Sequence, residues 1–90
     1  MGTFHQNKHE LHGITCVIDT DGAEVYVGRV DDLDDEKVIL HDVDVHREGD
    51  GGKTKEEYVE KAAQLGVFKK HDRLVVPQAR VTSIRRLGDL

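Results

Sequence analysis

The stretch from Ile14 to Val45 constrains this 90-residue chain more than any other: three runs rich in β-branched residues follow one another, separated only by short polar turns. None of those connections is long enough to carry a crossover helix, so the runs must pair antiparallel as a meander. Ile14 to Thr20 places Ile14, Cys16 and Ile18 on one face of a strand and Thr15, Val17 and Asp19 on the other. Asp21-Gly22 then predicts a tight hairpin, because glycine accepts a positive φ at little steric cost. Ala23 to Val30 reads as the second strand, and Gly28 inside it predicts a bulge or a sharp bend. Residues 31 to 36 gather five carboxylates around Leu33, too much charge for a sheet interior, and read as a turn with Leu33 folded inward. The third strand runs from Lys37 to His46. Ile39, His41, Val43 and Val45 share one face, while the other begins with Val38 and Leu40 and ends with Asp42, Asp44 and His46. That pattern predicts a strand buried on both sides at its start and emerging into solvent at its end.

The remainder is less regular. Glu48 to Lys53 carries three glycines among charges and reads as a loop. Thr54 then caps a helix to about Leu65, with Glu56 and Glu57 near its positive end, a Glu57–Lys61 pair at i,i+4, and Gly66 as the stop. Its apolar stripe, Val59, Ala62, Ala63 and Gly66, is narrow, as expected of a helix lying on the surface of something else. A fourth strand around Arg73 to Val76, a turn at Pro77-Gln78-Ala79 and a fifth strand from Arg80 to about Leu87 complete the set. Ahead of the meander, Thr3 to His12 reads as a short helix, with Thr3 and Gln6 at capping-box spacing and Gly13 as its left-handed stop.

A chain of this length builds one domain, residues 1–90, with a small core. Aromatic residues make up 4% and Trp is absent, so the core rests on Val, Ile and Leu, and oligomerisation is a natural way to bury more apolar surface. Cys16, the single cysteine, is expected to be a buried apolar residue of a reduced, cytoplasmic protein. The N-terminus lacks a signal-peptide pattern and no apolar run reaches membrane-spanning length, so no membrane association is expected.

Charge divides the chain. Residues 19 to 60 hold 15 acidic and 5 basic side chains, whereas residues 61 to 90 hold 2 acidic and 7 basic ones. The basic third offers Lys69, Lys70, Arg73, Arg80, Arg85 and Arg86 as a patch for phosphates, or as partners for the acidic loops of the same or a neighbouring copy.

Other constellations carry less. His5, His9 and His12 share a helical face at i, i+4 and i+7, a spacing compatible with a transition metal, yet three histidines with only Glu10 nearby read as a solvated face and no metal site is expected. His41 and His46 fall on opposite strand faces, and the acidic turn lacks the glycine and terminal glutamate of a calcium loop. The only serine, Ser83, lies in a strand, and no carboxylate pair is placed in an apolar cleft. The expectation is a protein that is not an enzyme, with no cofactor and no small-molecule substrate.

Thr20-Asp21-Gly22-Ala23-Glu24-Val25, Gly28-Arg29-Val30, Leu33-Asp34 and Val38-Ile39-Leu40 together resemble the first conserved segment of the Sm-like (Lsm) family. Leu74-Val75-Val76-Pro77 and Arg80-Val81-Thr82-Ser83-Ile84 resemble the second more loosely, and the two stretches span about half the chain. The resemblance implies a mainly β fold: a small, strongly bent five-stranded antiparallel barrel of Sm-like or SH3-like kind. It would carry a short N-terminal helix and an inserted helix at about 54–65 between the third and fourth strands. It implies a homo-oligomeric ring in which the fourth and fifth strands pair with neighbouring copies, and RNA as a partner. Asp34 matches the family's pocket Asp, whereas Glu36-Lys37-Val38 stands where its Asn would be and Pro77-Gln78 where its Arg-Gly would be, so the base-binding pocket is degenerate. RNA-binding candidates are therefore Asp34, Lys37 and Gln78 near bases and Lys69, Lys70, Arg73 and Arg80 against phosphates. A second reading is a protein-interaction or assembly module on a small barrel of the PRC type, docking through the 54–65 helix.

Overall fold

The computed structural model describes residues 11–90; the predicted Thr3–His12 helix, with His5 and His9, lies outside them but for its last two residues. The described chain is mainly β. Five strands, β1 (Thr15–Thr20), β2 (Glu24–Leu33), β3 (Lys37–Arg47), β4 (His71–Pro77) and β5 (Val81–Arg86), form one antiparallel sheet in the order β4-β3-β2-β1-β5. One α-helix, α1 (Lys55–Leu65), stands between β3 and β4.

The order explains the burial. β1 is flanked by β2 and β5, and Cys16, Val17 and Ile18 are all fully buried because both of its faces are covered. Cys16 and Ile18 join Val30, Val38, Leu40, Val43 and Val76 in one cluster, against which Val81 and Ile84 of β5 pack, so all five strands line it. Val17 turns the other way and meets Val25, Val27 and the helix residues Val59 and Ala62 in a second cluster. Each fully buried valine contributes about 1.5–3 kcal/mol relative to exposure, so both clusters are needed in so small a domain.

Strands β4 and β5 occupy opposite edges of the hydrogen-bonded order, yet only the single 3₁₀ turn Gln78–Arg80 joins them. A flat sheet would hold them about 19 Å apart, so the sheet must curl round its first cluster. Three register shifts help it bend, at Asp19/Thr20, Val27/Arg29 and Val30/Asp32. Among the described residues no ladder joins β4 to β5, and the sheet is open there.

The bend at Gly28 is as expected, and its cause is close approach: a Cβ there would meet Val43 Cγ2 at 3.0 Å and the His41 carbonyl oxygen at 3.2 Å. Opposite it, Asp42 sits at φ 53, a left-handed conformation that Asp tolerates better than most residues. This kink changes the alternation of β3. Val38, Leu40 and Val43 point into one cluster, and Asp44 and His46 turn beneath α1, 5% and 6% exposed. The expectation that β3 ends in solvent is overturned, because the helix covers that face.

Two further boundaries differ. The β1–β2 loop spans residues 21–23, and Gly22 is not among the positive-φ glycines; Thr20 closes the loop, its hydroxyl donating to the Glu24 carbonyl at 2.6 Å and accepting from the Gly22 amide at 3.3 Å. Asp31 and Asp32 extend β2 instead of turning, Asp31 Oδ2 lying 3.2 Å from His41 Nε2 and Asp32 Oδ1 accepting from the Leu33 amide at 2.8 Å, while Leu33 packs inward as predicted.

α1 starts at the predicted Thr54 cap, which the structure shows to be a full capping box with Glu57. The Glu57 amide donates to Thr54 Oγ1 at 3.1 Å, and the Thr54 amide donates to Glu57 Oε1 at 2.9 Å. Lys55 anchors the helix to the first hairpin, its ammonium donating to Asp19 Oδ1 at 2.8 Å and to the carbonyls of Thr20 and Gly22 at 3.0 and 2.7 Å. No helix among the described residues is long and apolar enough to cross a membrane.

Candidate functional site

The candidates Asp34, Lys37 and Gln78 come together where the β2–β3 turn meets the β4–β5 turn. Gln78 joins the two: its amide N–H donates to the Glu36 carbonyl at 2.9 Å, and its side-chain amide donates to the Asp34 carbonyl at 3.0 Å. Asp34 folds its own turn. Its Oδ1 accepts from the amides of Glu36 and Lys37 at 2.8 and 2.9 Å, and its Oδ2 lies 3.2 Å from the Lys37 ammonium. Those two N–H bonds, then the Lys37 ammonium, hold the Asp34 carboxyl below the usual carboxylate range. Both oxygens are thus engaged, and so is the Gln78 donor; what the turn cluster offers a ligand is the Gln78 acceptor oxygen and backbone.

Arg80 belongs to a different place, the β1–β2 loop. Its Nε donates to Asp21 Oδ1 at 2.6 Å while the Asp21 amide donates to the Arg80 carbonyl at 2.9 Å. The pairing pulls the Asp21 carboxyl down and pushes the Arg80 guanidinium up. Half of each side chain remains in water, so the pair contributes little to stability.

Lys69, Lys70 and Arg73 lie toward the other end of β4. Arg73 stands opposite His41, four residues along β3 from Lys37, or about 13 Å. Cross-strand register places Thr15, Arg29, His41 and Arg73 in one row on the outer face. Lys69 joins Thr15 and Arg29 in lining a shallow cleft of about 250 Å³ with Asp42, Val67 and Leu87. Arg29 is paired with Asp42 at 2.6 Å and His41 with Asp31 at 3.2 Å, whereas Lys69, Arg73 and Arg85 form no ion pair among the described residues. Arg29 and His41 are not among the phosphate candidates that the sequence suggests, because their membership of the row depends on a register that the two bulges set.

Lys70 turns instead to the helix, its ammonium 3.5 Å from Asp44 Oδ1. Asp44 Oδ2 accepts from the Tyr58 hydroxyl at 2.7 Å, and Tyr58 stacks on His46 with centroids 4.5 Å apart and planes 6° from parallel. The His46 ring is fixed in turn by a 3.0 Å contact from Nε2 to the Lys53 carbonyl. Burial, then Asp44, raises the Tyr58 phenol well above its usual range. Asp44 Oδ1 is buried with no hydrogen bond.

A scan against protein-family models and a search of curated proteins return no match. Function must therefore be argued from these groups. Among the described residues no set of three His, Cys, Asp or Glu side chains is placed to hold a metal ion, and His12 contacts the Asp31 carbonyl through Nδ1 at 2.6 Å. Cys16 is fully buried, and burial raises its thiol, the opposite of what a nucleophilic thiolate needs.

Proposed function

We propose that this protein is a non-enzymatic assembly module of the Sm-like kind, in which the sheet forms a strongly bent barrel and copies join into a ring through β4 and β5. The observation that carries the reading is the sheet order. The two edge strands are consecutive in the chain, meet at one 3₁₀ turn, and each presents a row of backbone groups unpaired among the described residues. Unpaired edges are templates for strand addition, and an antiparallel junction between β4 of one copy and β5 of the next is heterologous, which generates a ring where its rotation closes. Native mass spectrometry of the purified chain tests this. A closed multiple of 10.1 kDa is expected, and a monomer at all concentrations overturns it in favour of a lone PRC-type interaction barrel.

RNA is the partner proposed for the ring, held by phosphate contacts rather than by base reading. The Asp34 carboxylate is occupied by its own turn and the Gln78 side-chain amide by the Asp34 carbonyl, whereas Lys69 and Arg73, respectively near Arg29 and in its row, form no ion pair among the described residues. Binding to oligo-U and oligo-A of similar affinity is expected, falling with salt by a slope of about −0.7 per phosphate contact. Fluorescence anisotropy showing no binding at low salt would remove RNA from the account and leave the assembly reading standing.

A further inference from the structure

Beneath the C-terminal half of α1 lies a half-open pocket of about 370 Å³, lined by Asp44, Lys53, Tyr58, Lys61, Ala62, Leu65, Gly66, Val67 and Phe68. Its volume falls at the lower end of the range for small-molecule sites, about 300–1,000 Å³. We propose that this pocket binds a free amino acid with an apolar side chain, its ammonium on Asp44, its carboxylate on Lys53 and Lys61, and its side chain between Tyr58, Leu65 and Phe68.

Three observations point to that chemistry. The first is Asp44: 5% exposed, with Oδ1 buried and lacking a hydrogen bond. A buried acceptor left unmet is costly, and native proteins rarely keep one without use. The structure already brings a primary ammonium toward it, Lys70 Nζ at 3.5 Å, an ion pair without a hydrogen bond. Lys70 reaches in from the segment before β4 with 61% of its side chain in solvent, so it is free to leave. Once Lys70 withdraws, a ligand ammonium entering through the pocket can approach to the roughly 2.7–2.9 Å typical of a charge-assisted bond.

The second is the rim. Lys53 is half-buried and Lys61 exposed, and two ammonium groups there oppose a bare cation but suit a ligand that carries a carboxylate as well. Asp44 for the ammonium and lysines for the carboxylate are complementary to a zwitterion. The third is the wall. Leu65 and Phe68 are 77% and 83% exposed, an unusual state for large apolar side chains in a domain with so few of them. Tyr58 lines the same pocket, its hydroxyl committed to Asp44 Oδ2. The sequence announced none of this, because Asp44 read as a solvent-facing residue at the end of a strand.

The test is an NMR titration of the ¹⁵N-labelled full chain with L-phenylalanine and L-leucine, beside N-acetyl-L-phenylalanine, which lacks the ammonium, and phenethylamine, which lacks the carboxylate. Saturable shifts at Asp44, Tyr58, Ala62 and Phe68 are expected with both amino acids, and binding at least roughly tenfold weaker with either analogue. Lys70→Gln removes the competing ammonium and is expected to tighten binding severalfold, an effect that a merely structural Lys70 would not produce. Lys61→Glu, at an exposed position that leaves folding intact, is expected to weaken it by roughly tenfold or more. No saturable shift with either amino acid, equal binding of the N-acetyl analogue, or unchanged affinity in Lys70→Gln would each overturn the proposal.

Discussion

Replacing Lys55 by Met tests how the helix is held on the sheet. Lys55 is the first residue of α1, where the helix dipole disfavours a positive charge by about 0.3–1 kcal/mol. If it were only a surface helix residue, Lys55→Met would be neutral or slightly stabilising. The structure instead gives its ammonium three acceptors, Asp19 Oδ1 and the carbonyls of Thr20 and Gly22, with 18% of the side chain exposed. Methionine keeps the stem and leaves all three acceptors without this donor. Hydrogen bonds to charged groups contribute about 1.5–3 kcal/mol each when buried; here Asp19 is a third exposed and water replaces part of the loss. After crediting the relieved dipole, the net destabilisation is about 2 kcal/mol, which lowers Tm by about 8–16 °C for a domain of this size. Thermal and urea unfolding of the wild type, Lys55→Met, Asp19→Asn and the double variant measure both the loss and its coupling. A loss below about 0.5 kcal/mol, or full additivity of the two substitutions, would refute the reasoning.

Three further outcomes follow from the same geometry. Gly28→Ala forces a Cβ to within 3.0 Å of Val43 and 3.2 Å of the His41 carbonyl, and is expected to cost about 1–3 kcal/mol in urea unfolding, with backbone NMR shifts confined to β2 and the Asp42 kink. Tyr58→Phe removes the hydroxyl that donates to Asp44 Oδ2 and is expected to cost about 1–3 kcal/mol. Because the Tyr58 phenol is raised in the folded state, its contribution is complete below the unfolded phenol pKa of about 10 and fades above it; the alkaline fall in stability should therefore be shallower in Tyr58→Phe. Asp34 is lowered in the folded state, so its contribution is present above the ordinary carboxylate range and disappears as pH falls through its depressed value. Asp34→Asn, which keeps an acceptor for the two amides, is expected to flatten the acid limb of a urea-midpoint profile while leaving the turn intact by NMR.

What could be read in the sequence was what depends on neighbours in the chain. The Thr54 cap, the Gly66 stop, the inward Leu33 and the antiparallel meander are set by residues a few positions apart, and all appear in the structure. The faces of β3 were misread from Asp42 onward, because a single residue at φ 53 shifts the alternation and nothing in the local pattern marks it. Asp44 and His46 could not be recognised as buried without knowing that α1 folds back over β3 and brings Tyr58 to them. Lys55 is a similar case, its acceptors lying 33 to 36 residues away. Asp34 and Gln78 meet where two turns pack together, and only the hydrogen bonds reveal that the Asp34 carboxylate is spent on its own turn and the Gln78 amide on the Asp34 carbonyl.

If β4 and β5 join neighbouring copies as proposed, amide hydrogen exchange reads it directly. In a lone sheet, each edge strand bonds through alternate residues only, so protection along His71–Pro77 and Val81–Arg86 alternates between slow and fast. In a ring joined through these edges, the outward amides are bonded too. Exchange measured at assembling concentration is predicted to be slow along the interior of both strands without alternation, and an alternating pattern in both would contradict the account.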